Sequence, residues 1–392
     1  MSNPLTPLGG TCSAPFEPLR ELLAAKLESG EDLGASVAVN LDGEMVVDLW
    51  GGWADEARTV SWTENTIACV FSTTKTMTAL AALVLVDRGE LDLDASVATY
   101  WPEFAARGKA GVKVRHLLSH TSGVSGWQQP VTLEDLYDWD ESTARLAAQA
   151  PWWEPRTASG YHGTTYGHLI GEVIRRITGQ RLGEFFATEI ARPLGADFHI
   201  GLAPFECPRV ANLVAPGWPP TDLTRLEPHS VAFKTVTGPL GDPNIELSRT
   251  ERWRRADIGA FNGHGNARSV ARIQSAVACG GQVDGVRLLS PKTIDRIFEV
   301  QSDGIDLVLG IHLRMGIGYG LLPMPGVLPF LPAGRLCTWG GAGGSLVLID
   351  VDRRLTFAYV MNKMVPCLVG PTASALVERL YEIVTAARPS LD

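Results

Sequence analysis

Strand patterns lie at both ends of this chain and helical patterns lie between them, and that placement restricts the fold more than any other feature. Near the start, Ala35-Ser-Val-Ala-Val-Asn and Glu44-Met-Val-Val-Asp-Leu-Trp flank Leu41-Asp42-Gly43. Asp-Gly between apolar runs marks a tight hairpin. Near the end come Leu307-Val-Leu-Gly-Ile-His-Leu, Leu346-Val-Leu-Ile-Asp and Leu355-Thr-Phe-Ala-Tyr-Val-Met, the last two joined by a turn at Asp350-Val-Asp-Arg-Arg. The spacing predicts amphipathic helices over 15–29, ending at Gly30, and over 372–387. Antiparallel strands with helices packed on them make an α+β body. Strands from the two ends must share one sheet, so residues 1–88 and 305–392 are expected to form the body. Residues 89–304 are then an inserted, mainly helical lobe, with helices expected over 164–177, 268–279 and 291–300. The stretch 203–248 is rich in proline and polar residues without a period. So long a loop in a compact protein reads as a lid or pocket wall.

Composition excludes several function classes. The chain has 392 residues, 45% of them hydrophobic, enough for a large core. No apolar run is long enough to span a bilayer. A formal net charge of −9 disfavours nucleic acid and anionic membrane surfaces. The first residues, Met-Ser-Asn-Pro-Leu-Thr, carry no basic and apolar leader, so a cytoplasmic location is expected. The six cysteines lack metal-ligand spacing and read as free thiols. His116 and His120 are four apart, but a turn at Thr121-Ser122-Gly123 ends that segment, so neither metal nor cofactor is expected. No feature of the sequence sets an oligomeric state.

The chemistry starts at Ser72-Thr-Thr-Lys75, where a strand expected over 66–71 runs into a helix expected over 75–87. Positions three apart share a helix face, so Ser72 Oγ and Lys75 Nζ can meet. A serine hydroxyl needs a base to act as a nucleophile, and an amine held neutral by its surroundings can serve. Lys75 alone among the seven lysines has a serine three positions before it. The competing reading is a capping serine and a solvated lysine.

A relay and an oxyanion site would complete such a centre. Tyr161 lies in Ser159-Gly-Tyr-His-Gly-Thr-Thr-Tyr-Gly167, just ahead of a helix. A phenol whose pKa is lowered by a cationic lysine can accept and return a proton. Tyr166 is the alternative, and either could be a core tyrosine. His162 could tune the pocket or make a structural hydrogen bond. Trp339-Gly340-Gly341-Ala342-Gly343-Gly344-Ser345 heads a strand. Its glycines let backbone approach a substrate, and a strand edge can offer an N–H to an oxyanion beside that of Ser72. A plain glycine-rich turn is the other reading.

Together these segments resemble the serine hydrolases of the β-lactamase and penicillin-binding-protein fold, and most closely the family VIII carboxylesterases with class C β-lactamase architecture. The resemblance spans roughly residues 34–385. It is carried by Ser72-Thr-Thr-Lys75, Val114-Arg-His-Leu-Leu-Ser-His-Thr-Ser-Gly123, Gly160-Tyr-His-Gly-Thr-Thr-Tyr-Gly-His-Leu-Ile-Gly171, Asn266-Ala-Arg-Ser-Val-Ala-Arg272 and Trp339-Gly-Gly341. It implies a nucleophile at Ser72, an activating pair in Lys75 and Tyr161, and an oxyanion hole from the N–H groups of Ser72 and Ala342.

Two departures bear on substrate. The lactamase motif Tyr-x-Asn has Gly163 at its third position here, and the lysine of Lys-Thr-Gly is Trp339. Losing that cation removes a charge-assisted hydrogen bond worth roughly 1.5–3 kcal/mol. The pocket, with Trp339, Gly340, Gly341, Gly163 and His162 as candidate lining, is therefore expected to take small neutral carboxylic esters. The alternatives are a β-lactamase or D,D-peptidase-like amide hydrolase, or a binding protein that acylates without turnover.

Overall fold

The structure, a computed structural model, describes residues 6–215, 223–238 and 245–386. Its centre is a nine-stranded sheet in which every neighbouring pair is antiparallel. From the N-terminal part come β1 (Leu8–Cys12), β2 (Gly34–Leu41) and β3 (Glu44–Gly52). Three short strands, β4 (Ala68–Cys69), β5 (Phe198–Ile200) and β6 (Gly263–Gly265), form a separate sheet, and β7 (Gln282–Val283) pairs with β8 (Val286–Arg287). The large sheet is completed by β9 (Ser302–Ile305), β10 (His312–Met315), β11 (Gly320–Leu321), β12 (Leu336–Gly340), β13 (Leu346–Asp350) and β14 (Leu355–Met361). The order is β1-β3-β2-β14-β13-β12-β11-β10-β9, so the two ends of the chain meet where β2 pairs with β14.

The Asp42-Gly43 hairpin forms as expected, with both residues at positive φ (56° and 94°), the requirement of the tightest two-residue turn. β13 and β14 are buried at every residue and β2 at all but its last, so helices cover both faces. Helix α1 (Glu17–Ser29) packs with the terminal helix Pro371–Ala386. The helix Ala267–Ala278 lies on β2, β13 and β14. That helix belongs to the stretch 89–304 expected as a lobe, yet it is a layer of the body. Its face of Val270, Ile273, Ala276 and Val277 is fully buried, and the sheet is what buries it.

Two strand expectations are corrected. Of the strand expected over 66–71, Ala68–Cys69 forms a strand and Ile67 a single bridge to Val210, because the chain turns at Phe71. The run Leu307-Val-Leu-Gly-Ile-His-Leu is a turn entering β10. Asp306 Oδ1 accepts the N–H groups of Val308 and Leu309 at 2.9 and 3.0 Å, and Gly310 takes φ 66°. An aspartate that accepts from the amides two and three residues on builds a turn whatever the hydropathy of the next residues. Within 203–248 the described parts include short helices, among them Val231–Val236, while 216–222 and 239–244 lie outside the described residues. No helix among the described residues is long and apolar enough to cross a membrane.

Candidate active site

Ser72 stands on a strand-to-helix corner. Val70 N–H still bonds Gly263 O at 2.9 Å, then Phe71 adopts φ 42° and one tight turn leads into helix α2 (Thr74–Asp87). A left-handed phenylalanine costs about 1–3 kcal/mol. It is held by Thr74, whose hydroxyl donates to Phe71 O (2.5 Å) and accepts Gly263 N–H (2.9 Å). The corner leaves Ser72 half-exposed while its neighbours are buried.

Lys75, on the first turn of α2, is 1% exposed. Its Nζ lies 3.1 Å from Ser72 Oγ, 2.9 Å from Gly163 O and 2.7 Å from Ala260 O. Burial alone holds this amine well below the ordinary lysine range, and no acidic side chain among the described residues pairs with it. A neutral amine has two N–H groups and one lone pair. The two carbonyls can only accept, so they take both N–H groups, and the lone pair faces the Ser72 hydroxyl.

Tyr161 sits beside this pair, its ring 4.7 Å from Lys75 Nζ and its hydroxyl facing Ser72. Trp339 Nε1–H donates to that hydroxyl at 3.2 Å. Burial pushes the phenol above its ordinary value, opposite to the expected lowering. The nearby Asp306 carboxylate adds to the rise, while the hydrogen bonds with Ser72 and Trp339 oppose it. Tyr166 lies farther off, its ring 5.9 Å from Nζ and its buried hydroxyl without a partner among the described residues.

The glycine-rich loop closes on the same corner. Ser345 Oγ donates to Val70 O (2.8 Å) and meets Thr73 Oγ1 (3.0 Å). Gly341 N–H goes to Ser345 O and Gly344 N–H to Gly341 O. The intervening Ala342 N–H has no acceptor among the described residues. Gly340 is half-buried, and Gly163 is open, with only the Tyr161 ring within 4 Å of where a Cβ would stand.

The pocket placement expected for His162 is corrected. The residue is fully buried, its Nδ1–H donates to Gly160 O (2.7 Å) and its Nε2 accepts from Ser122 Oγ (2.6 Å). Both ring nitrogens are committed inward, and burial lowers the ring pKa to about 4, which keeps it neutral. His120 Nδ1 accepts the His162 N–H (3.2 Å), and its ring packs on Tyr161. His116 Nδ1 accepts the Lys113 N–H.

One residue of the site escaped the sequence reading. Asp306 is 1% exposed and accepts from Ser159 Oγ (2.6 Å) and Tyr161 N (3.0 Å) besides its own turn. It ties the Tyr161 segment to the end of β9. The sequence signal was the Asp-x-x-x-Gly turn at Asp306–Gly310, hidden inside an apolar run.

Comparison with known proteins identifies the family. A family model described as Beta-lactamase matches residues 19–378. The chain belongs to the beta-lactamase family. Within that family it is 36% identical over 366 residues to Esterase/beta-lactamase LipL of Mycobacterium tuberculosis, covering 90% of this chain and 82% of that protein. Among solved structures, a family VIII carboxylesterase superposes with a TM-score of 0.90 at 37% identity, over 96% of this chain and all (100%) of that one. A penicillin-binding protein homologue from Caulobacter crescentus gives 0.89 at 37% identity with the same coverage.

Proposed function

We propose that this family member is a serine carboxylesterase acting on small neutral esters. The observation that carries the reading is the polarity of the site. The position of the lactamase lysine holds Trp339, whose one N–H is spent on Tyr161, and Lys75 is buried, its charged form disfavoured and its Nζ held by Gly163 O and Ala260 O. Neither offers a free cation to a substrate carboxylate. Relatives named as esterase and carboxylesterase support the same conclusion.

The steps follow from the contacts. Ser72 Oγ attacks the ester carbonyl and its proton passes to Lys75 Nζ. The oxyanion rests on the N–H groups of Ser72 and Ala342. As the tetrahedral intermediate collapses, the C–O bond to the alcohol breaks. The leaving oxygen takes a proton from the Tyr161 hydroxyl, which recovers one from the Lys75 ammonium. Water then attacks the acyl-enzyme by the same route. Six free cysteines suit a reducing compartment, so we place the enzyme in the cytoplasm.

A fluorophosphonate probe followed by peptide mass mapping is expected to label Ser72, and a label on another serine would remove the assignment. Steady-state assays are expected to show p-nitrophenyl acetate turned over at least about tenfold more efficiently than nitrocefin, as a lost charged hydrogen bond implies. The reverse ratio would favour the lactam reading that the Caulobacter homologue's name suggests. Gly163 supplies a finer check. A Cβ there meets only the Tyr161 ring, at 3.8 Å, so the position accepts a side chain's first carbon and Gly163→Asn returns the amide. The nitrocefin-to-ester ratio of kcat/KM is expected to rise about fivefold. An unchanged ratio would show that the missing amide does not set the preference.

A further inference from the structure

His120 is buried and its backbone is left-handed, with φ 61°. A strained conformation survives only where its surroundings enforce it, and such residues gather at working sites. Here the conformation lets one residue grip the Tyr161 segment twice. His120 O accepts the Gly160 N–H at 2.9 Å, and His120 Nδ1 accepts the His162 N–H at 3.2 Å. The amide between them, Tyr161 N–H, goes to Asp306 Oδ1 at 3.0 Å. Three consecutive amides are thus held by two residues from distant parts of the chain, and Tyr161 is fixed on both sides.

The imidazole also holds the phenol itself. Its centroid lies 4.9 Å from that of Tyr161, edge to face. It lies 5.0 Å from Tyr166 and 6.2 Å from Trp339, the donor to the Tyr161 hydroxyl. Aromatic contacts of this kind fix ring orientation. A ring nitrogen that accepts from an amide carries no proton, so the imidazole is neutral with its hydrogen on Nε2. Burial beside His162 and Lys75 keeps it neutral, holding its pKa well below the ordinary histidine range.

We propose that His120 is a positioning residue for proton return, holding Tyr161 where its hydroxyl reaches the departing alcohol. This rests on the esterase reading and deepens it. When the C–O bond breaks, the alcohol oxygen keeps the electron pair and takes the Tyr161 proton, and the phenolate recovers one from the Lys75 ammonium. An aliphatic alkoxide leaves poorly without that proton, whereas p-nitrophenolate leaves unaided. Misplacing the phenol therefore penalises alkyl esters and spares activated ones. Loss of the base at Lys75 would slow both.

The experiment compares ethyl butyrate with p-nitrophenyl butyrate, which form the same acyl-enzyme. The readout is kcat/KM, which ends at release of the alcohol. In His120→Phe, which keeps a ring and removes the acceptor, ethyl butyrate is expected to fall about a hundredfold and p-nitrophenyl butyrate less than about threefold. His120→Gly suits the left-handed backbone and removes ring and acceptor together, so it reads the same selective loss if the phenylalanine variant does not fold. His120→Asn returns an acceptor near the place of Nδ1 and tolerates the backbone, and is expected to recover about tenfold of that loss. Adding His120→Phe to Tyr161→Phe is expected to cost nothing further, because a residue that acts through Tyr161 has no effect once the hydroxyl is gone. Equal losses on the two esters, or a loss that adds in full to that of Tyr161→Phe, overturn the proposal and leave the esterase reading standing. Hydrolysis of neither ester by the wild-type enzyme overturns both.

Discussion

Lys75→Met is expected to lower kcat/KM by about three orders of magnitude while the protein remains folded. General-base catalysis contributes roughly 10²–10⁴-fold, and Lys75 is the one group in contact with Ser72 whose free lone pair can take the proton. Methionine matches the length of the stem and leaves Gly163 O and Ala260 O without their donor, at about 1–3 kcal/mol for each unsatisfied group. Against that, the variant no longer strips an amine of water. Lys75→Arg is expected to be equally inactive, because a guanidinium cannot deprotonate.

The pH dependence has a definite sign. The folded state holds the Lys75 pKa well below that of the unfolded chain. Between those two values the unfolded state binds the extra proton, so stability rises with pH, by up to about 1.4 kcal/mol per unit for one proton. The contribution is complete above the unfolded value and lost as pH falls through the folded one. Denaturant melts at neutral and alkaline pH should therefore show wild type gaining on Lys75→Met as pH rises. The kcat/KM profile carries the same group as its acid limb, with activity falling as Lys75 is protonated. Equal pH slopes for both proteins would mean that the lysine is charged in the fold.

The parts of this site that could be read from sequence are those that local geometry dictates. Ser72 and Lys75 are three apart on one helix, and their contact needs nothing from the rest of the chain. The Asp42-Gly43 turn and the pairing of strands from the two ends follow from hydropathy and turn chemistry. What escaped depends on distant partners. Asp306 stands just ahead of an apolar run with no mark of its role, and its value comes from Ser159 and Tyr161, some 145 residues away. The protonation of Tyr161 could not be read until Lys75 was seen to be buried without an acid. The helix Ala267–Ala278 was assigned to the lobe because sequence order, not the sheet it covers, guided the division. Trp339 is a pocket candidate from sequence, and its N–H proves to be a hydrogen bond on the phenol.

Gly341→Ala tests the second half of the mechanism and is expected to lower kcat by about a hundredfold, the cost of misplacing one oxyanion donor. Gly341 does not need glycine for a positive φ, since its backbone lies outside that region. It needs glycine for space. A Cβ there would stand 2.0 Å from Val70 O and 2.5 Å from Ser345 Oγ. Val70 is two residues before Ser72 and is already bonded to Gly263, so it cannot retreat without moving the nucleophile. The strand end must withdraw instead, and it carries Ala342 N–H with it. Labelling by a fluorophosphonate should slow in parallel with ester turnover, because both reactions place negative charge on the same oxygen. KM should change less than kcat, since the donor acts on the oxyanion and not on the ground-state carbonyl. Gly163→Ala is the control, with its added methyl in ordinary contact at 3.8 Å. Wild-type kcat in a folded Gly341→Ala protein, judged by an unchanged near-UV circular dichroism spectrum, would remove the Ala342 N–H from the oxyanion hole.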